Sequence, residues 1–324
     1  MSNFSRKNAS NATDYATSHT VQTDTNSQPV LAQLTRKILL SDAIRDFLMD
    51  KKLERKSPRT TGQYSYYLAR FDKLYPGRMV YEIEKADIRG SLAQNVDAPY
   101  ASHANFRTLR AFFNWCEGER YLIQNPLAHT KAPELPKKVV QIYTDADIKS
   151  MIAAQSRESF IGMRNRALTL ILYDTGIRLS ELVGLTLDDV DLENGILKVK
   201  GKGDKERHVP FGKTAAKALW QYLRLRRDKY REIWLTEEKR PMQSRGVAEV
   251  FSRLGVALNL GKRCSPHTFR HTWAVNMLRN GCNIRDLQIL GGWSSLDMVM
   301  RYTKALSTED AIKAHKRFSP GDRL

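Results

Sequence analysis

No run of apolar residues in this sequence is long enough to cross a bilayer as a helix, and the first residues lack the apolar stretch of a secretion signal. There are only three cysteines, Cys116, Cys264 and Cys282, and no two stand as C-x-x-C. An odd, unpaired set argues against a disulfide framework and for a reducing compartment. The chain is therefore expected in the cytoplasm, with no membrane partner. Acidic residues are also in deficit. Against 53 Lys and Arg there are 35 Asp and Glu, a formal charge of +18. A soluble protein this basic most often meets a polyanion, because clustered Lys and Arg displace counterions from phosphates. The other outlet for such charge is a solvated surface or acidic lipid.

The 324 residues and 41% hydrophobic content suffice for a folded core and two domains. Residues 1–36 are dominated by Ser, Thr, Asn and Gln and have too few large apolar side chains to offset the entropy of ordering. A disordered tail is expected there. Residues 37–130 read as a small all-helical domain of about four helices. Ser41 is an expected N-cap, Ser57-Pro58 opens another helix, and Phe106, Leu109, Phe113 and Trp115 recur at near-helical spacing, with Cys116 beside them in the core. Residues 131–143 carry two prolines and a basic pair, which predicts an extended linker. Thr144, with Asp147 three residues on, caps the first helix of a second domain over 144–324.

In that second domain Gly176 is expected to stop a buried helix. Asn194-Gly195 and Gly201–Asp204 are turn signals joining three short strands into a small antiparallel sheet, and helices resume to the end. The fold class is mainly α with that one sheet.

The stretch SPHTFRHTWAV (265–275) places His267 and His271 four apart on a helix. The zinc hydrolase motif has this spacing but needs Glu directly after the first His, where Thr268 stands here. Arg270 would also repel a cation, so no metal is expected. Ser265 as N-cap and Pro266 at the first helical position aim the unpaired N–H groups of a helix end toward His267, a setting suited to phosphate. His271 is expected to be mainly structural.

Arg178 follows the Gly176 stop, and Glu181 is placed to hold its guanidinium. Two arginines on one phosphate would neutralise its oxygens as charge builds in a pentacoordinate transition state. Lys202, at the tip of a hairpin, is a candidate proton donor to a leaving oxygen. Each has an ordinary alternative: a helix ion pair, a solvated lysine. Tyr302, after Gly291-Gly292 and Trp293, is either a core residue or a nucleophile.

Taken in order, Arg178, Lys202, His267, Arg270, Trp293 and Tyr302 resemble the signature of the tyrosine recombinases, the phage-type integrase family that includes Xer- and Cre-like members. The likeness runs from about Leu39 to Lys304 and rests on TGIRLSELVGLTLDDVD, KVKGKGDKERHVPFG and SPHTFRHTWAVNMLRNGCNIRDLQILGGWSSLDMVMRYTK. Most members have His where Trp293 stands, and Cre-like members have Trp. An indole N–H donates a hydrogen bond but shuttles no proton.

The resemblance implies site-specific strand exchange on double-stranded DNA, with a helical core-binding domain and a catalytic domain clamping the duplex. Tyr302 would attack the scissile phosphate to give a 3′-phosphotyrosine. Arg178, Arg270, His267 and Trp293 would bind that phosphate, His267 would also assist proton removal from Tyr302, and Lys202 would protonate the leaving 5′-oxygen. No ATP, cofactor or metal is implied. A homotetramer in synapsis, or a hetero-assembly with a related recombinase, is the implied working form, in the nucleoid. Residues 307–318 would form a helix exchanged between subunits or packed on their own. Type IB topoisomerase-like relaxation and non-catalytic DNA binding are the rival activities. Integrase, resolvase and transposon recombinase are not separated at this level.

Overall fold

The computed structural model describes residues 36–136, 140–201, 205–261, 264–319 and 321–323. The expected polar tail thus lies outside the described residues except for Arg36, whose N–H donates to the Arg120 carbonyl at 3.0 Å. The chain divides into two compact units, 1–137 and 138–324.

The first unit is built from α1 (Leu40–Leu53), α2 (Pro58–Leu74), α3 (Lys85–Ala93) and α4 (Pro99–Gly118). Ser57 caps α2 by accepting from the Thr60 N–H, with Pro58 at its first position. Ser41 does not cap α1. The helix starts two residues earlier than that cap would give, at Leu40, with Leu39 in the capping position. Strand-like pairing satisfies this end instead: Leu40 N–H donates to the Arg78 carbonyl at 2.9 Å, and Val80 N–H to the Ile38 carbonyl at 3.0 Å. Phe47, Phe71, Phe106, Phe112, Phe113 and Cys116 are fully enclosed in one core. Phe47 meets Phe112 edge to face at 5.6 Å, so these aromatics pack against each other. Trp115 spans core and surface, its indole N–H donating to Asp50 at 2.8 Å.

The second unit contains α5 (Asp145–Ala153), α6 (Phe160–Thr175) and α7 (Leu179–Val183). Then come β1 (Val190–Asp191), β2 (Ile196–Lys200) and β3 (Glu206–Pro210). It ends with α8 (Lys213–Leu223), α9 (Ser244–Ala257), α10 (Pro266–Arg279), α11 (Ile284–Gly291), α12 (Asp297–Thr303) and α13 (Thr308–Phe318). Thr144 and Asp147 form a reciprocal capping box on α5. The three strands pair antiparallel in the order β1-β2-β3, with Val199 opposite Arg207.

Part of the expected linker is core rather than tether. Val140 and Ile142 pack against an apolar cluster of the second unit, and Tyr143 is buried in another. The Tyr143 hydroxyl accepts from the Ser265 N–H at 2.8 Å, which fixes the start of α10.

Candidate active site

Four arginine-bearing or acidic positions meet where two helices end. α6 stops at Gly176 in the left-handed conformation, φ 57°. α11 stops at Gly292, φ 62°. A helix end leaves carbonyls without partners and carries partial negative charge. Here guanidinium groups take them. Successive carbonyls of the α11 end accept from Arg207 (Leu290 O, 2.9 Å), Arg270 (Gly291 O, 2.5 Å) and Arg178 (Gly292 O, 2.7 Å). Arg270 donates a second bond to Gly176 O at 2.7 Å, tying the end of α6 to the end of α11.

Glu181, on α7, anchors the cluster. One oxygen accepts from Arg178 Nη1 at 2.7 Å, and both oxygens accept from Arg207 at 2.8 Å. The other oxygen also accepts from the Arg178 backbone N–H at 2.8 Å. Burial alone would raise its pKa, but the Arg207 hydrogen bonds and the Arg178 N–H outweigh it and hold the carboxyl below its usual value. Arg270 is buried, and its pKa is lowered to about 10, by desolvation first and by Arg178 second. It stays charged, in a dense field of like charge that an anion would relieve.

Arg270 lies 4.2 Å over the ring of Trp293. Trp293 stacks on Trp273 at 6.0 Å and tilts against Tyr302 at 5.4 Å. Small residues make this possible. A Cβ on Gly291 would lie 2.0 Å from Trp293 Cζ3, and one on Gly176 would lie 2.3 Å from Trp273 Cε3. Tyr302 sits in α12 within this apolar cluster, only 1% exposed. Burial pushes its hydroxyl pKa up, while Arg301, Arg270 and Arg178 pull it down. The helix carrying it opens at Leu296 without a side-chain cap.

α10 begins as its sequence predicts, Ser265 accepting from the Thr268 N–H and Pro266 in the first turn. His267 is exposed, its ring edge-on to His271 at 4.3 Å. Its pKa is lowered by desolvation of its protein-facing side, then by Arg301 and Arg270. His271 is half-buried, and its Nδ1 lies 3.1 Å from the Tyr302 hydroxyl. Among the described residues no three of His, Cys, Asp and Glu gather as a metal-binding group.

The structure thus brings Arg178, Glu181, His267, Arg270, Trp293 and Tyr302 into one neighbourhood. Lys202 lies outside the described residues. Its hairpin is closed just beside it by Gly201 N–H donating to the Lys205 carbonyl at 2.8 Å. The sequence gives no sign of Arg207's part in the cluster beyond its strand face, or of the Tyr302 hydroxyl as the partner of His271. Arg207 had a signal: it shares a face of β3 with buried Val209, where an arginine needs a partner.

A model of the phage integrase family matches residues 141–309. The chain is 32% identical over 286 residues to the tyrosine recombinase XerC of Halalkalibacterium halodurans, covering 82% of this chain and 93% of that protein. It is 29% identical over 297 residues to the tyrosine recombinase XerD of Listeria monocytogenes, covering 87% of this chain and 99% of that one. The fold is similar to that of the Tn1549 transposon integrase solved in complex with transposon right end DNA. That likeness has a TM-score of 0.72 at 17% identity, over 87% of this chain and 100% of that one. The chain belongs to the phage integrase family.

Proposed function

We propose that this member of the phage integrase family is a site-specific DNA recombinase of the tyrosine type. It cuts and rejoins strands through a 3′-phosphotyrosine and uses neither ATP nor metal. The observation that carries this reading is the placement of Arg178 and Arg270 on adjacent carbonyls of one helix end, with Tyr302 against the Trp293 that Arg270 covers. Two fixed guanidiniums suit the non-bridging oxygens of a phosphodiester, and their mutual repulsion eases as negative charge builds on phosphorus.

In this mechanism the Tyr302 oxygen attacks the scissile phosphate and the 5′-oxygen leaves. Arg178, Arg270, His267 and the Trp293 indole bind the phosphate. Lys202 gives the leaving oxygen its proton. Glu181 acts by keeping Arg178 in place. The 5′-hydroxyl of a partner strand then attacks the phosphotyrosine, so the energy of the broken bond is kept for resealing.

The first unit supplies a core-binding surface and the second supplies the chemistry. The working form is a homotetramer on two sites, or an assembly with a related recombinase, acting at the nucleoid. α13 is tied to its own chain here, through Arg279 to Asp310 at 3.3 Å and Arg317 to the Asn280 carbonyl at 2.7 Å. Exchange of this helix between subunits would have to break both. The test is recombination between two plasmid copies of the DNA flanking the gene. Joined products with exchanged flanks are expected. Relaxation of supercoils without site preference would instead point to topoisomerase-like action, and binding without any strand change to a non-catalytic protein.

A further inference from the structure

The Tyr302 hydroxyl has to lose a proton as its oxygen attacks phosphorus, and that proton needs a receiver. The ring nitrogen at bonding distance is Nδ1 of His271, 3.1 Å away, with the two rings tilted at 50° and centroids 5.5 Å apart. His271 follows Arg270 directly on α10. One residue turns a helix by roughly 100°, so the two side chains diverge. Arg270 reaches the glycine carbonyls and Trp293, and His271 reaches Tyr302 on α12.

We propose that His271 is a catalytic residue of strand cleavage, accepting the Tyr302 hydroxyl proton on Nδ1 as the phosphotyrosine bond forms. This rests on the reading of Tyr302 as nucleophile. The Tyr302 O–H bond breaks and its proton passes to the Nδ1 lone pair. The bond from Oη to phosphorus forms, and the bond from phosphorus to O5′ breaks. The leaving oxygen takes its proton from a separate acid, the part proposed for Lys202. The reverse transfer returns the proton to Tyr302 when the 5′-hydroxyl reseals the strand.

The surroundings suit this role. Desolvation first, then His267, Arg301 and Arg270, disfavour a charge on His271 and keep the imidazole neutral and able to accept, its pKa near 4. A scissile phosphate bound by the arginines adds negative charge beside the ring and raises its basicity when the proton moves. His267, exposed and edge-on to His271, keeps the phosphate-binding part, and the proton removal that the family resemblance implies for it passes to His271, the ring at bonding distance.

The test is single-turnover cleavage of nicked duplexes drawn from the DNA flanking the gene, or from a randomised pool selected for adduct formation by the wild type. A matched set carries sulfur in place of the bridging 5′-oxygen. A thiolate leaves without an acid, so sulfur should restore Lys202→Ala. It should not restore His271→Gln or His271→Gly, each expected to be slower by about a hundredfold or more, with added imidazole recovering His271→Gly. Cleavage by His271→Gln within about threefold of wild type, or recovery of either variant by sulfur, would overturn the assignment. Tyr302→Phe runs in parallel. An adduct surviving that change sinks the nucleophile reading itself, whereas a dead Tyr302→Phe beside a fast His271→Gln sinks only the role of His271. Ring-nitrogen NMR of the intact wild-type protein decides independently of any variant's folding: Nδ1 of His271 should be bare and Nε2 protonated, and a protonated Nδ1 contradicts the proposal.

Discussion

Both carboxylate oxygens of Glu181 are held by the Arg207 guanidinium at 2.8 Å, and the same carboxylate fixes Arg178. The side chain of Glu181 is 1% exposed and that of Arg207 is 14% exposed. A carboxylate this enclosed is kept by its partners, and removing it leaves two guanidiniums facing each other. Glu181→Ala should therefore lower stability by about 3 kcal/mol and slow strand cleavage more than it weakens DNA binding. Thermal unfolding and single-turnover cleavage on one preparation check this. A cleavage rate near wild type would mean that Arg178 is positioned by its Gly292 carbonyl bond alone.

Arg270→Lys keeps one positive charge but cannot bond Gly176 O and Gly291 O while facing a phosphate. A lysine is a point charge and lacks the planar fork. Cleavage should fall by about a hundredfold or more, with duplex binding largely retained. Filter binding and adduct formation separate the two effects.

Gly291 is tested by size alone. A methyl there meets Trp293 Cζ3 at 2.0 Å, so the indole has to move off Trp273 and out from under Arg270. Gly291→Ala should cost about 1–3 kcal/mol of stability and reduce cleavage. Tryptophan fluorescence during unfolding reports the first effect, and adduct formation the second.

The two histidines of α10 predict acid sensitivity. The His271 pKa falls from 6.5 to about 4 on folding. Between those values the unfolded chain binds the proton and the folded chain does not. Stability should drop as pH falls from 6.5 toward 4, and the loss is complete below that. Solvent at the half-buried ring reduces the full effect, leaving a contribution on the order of 1–2 kcal/mol. His271→Phe should flatten the pH dependence of denaturant midpoints in that window. His267, shifted the same way, acts in the same direction.

Local chemistry was legible in the sequence. Ser265-Pro266 frames α10, Gly176 stops α6, Thr144 and Asp147 box the start of α5, and Asn194-Gly195 turns β1 back onto β2. Each of these is decided by neighbours along the chain. The misreadings all depend on distant packing. Ser41 lost its capping role because Leu40 finds Arg78 instead. Tyr143 looked like linker beside two prolines, yet it fills a pocket at the start of α10. For His271, spacing on α10 places it with His267 but says nothing of α12 arriving on its other side. Arg207 was hidden in a charged hairpin whose partner carboxylate stands on α7.

The most direct test of the account is an SDS-stable protein–DNA adduct formed on a nicked duplex from the DNA flanking the gene, without ATP and in the presence of a chelator. The wild-type chain should give the adduct, with the DNA 3′-phosphate recovered on the peptide that contains Tyr302, and Tyr302→Phe should give none. An adduct that survives Tyr302→Phe, or one that forms only with added divalent metal, would contradict it.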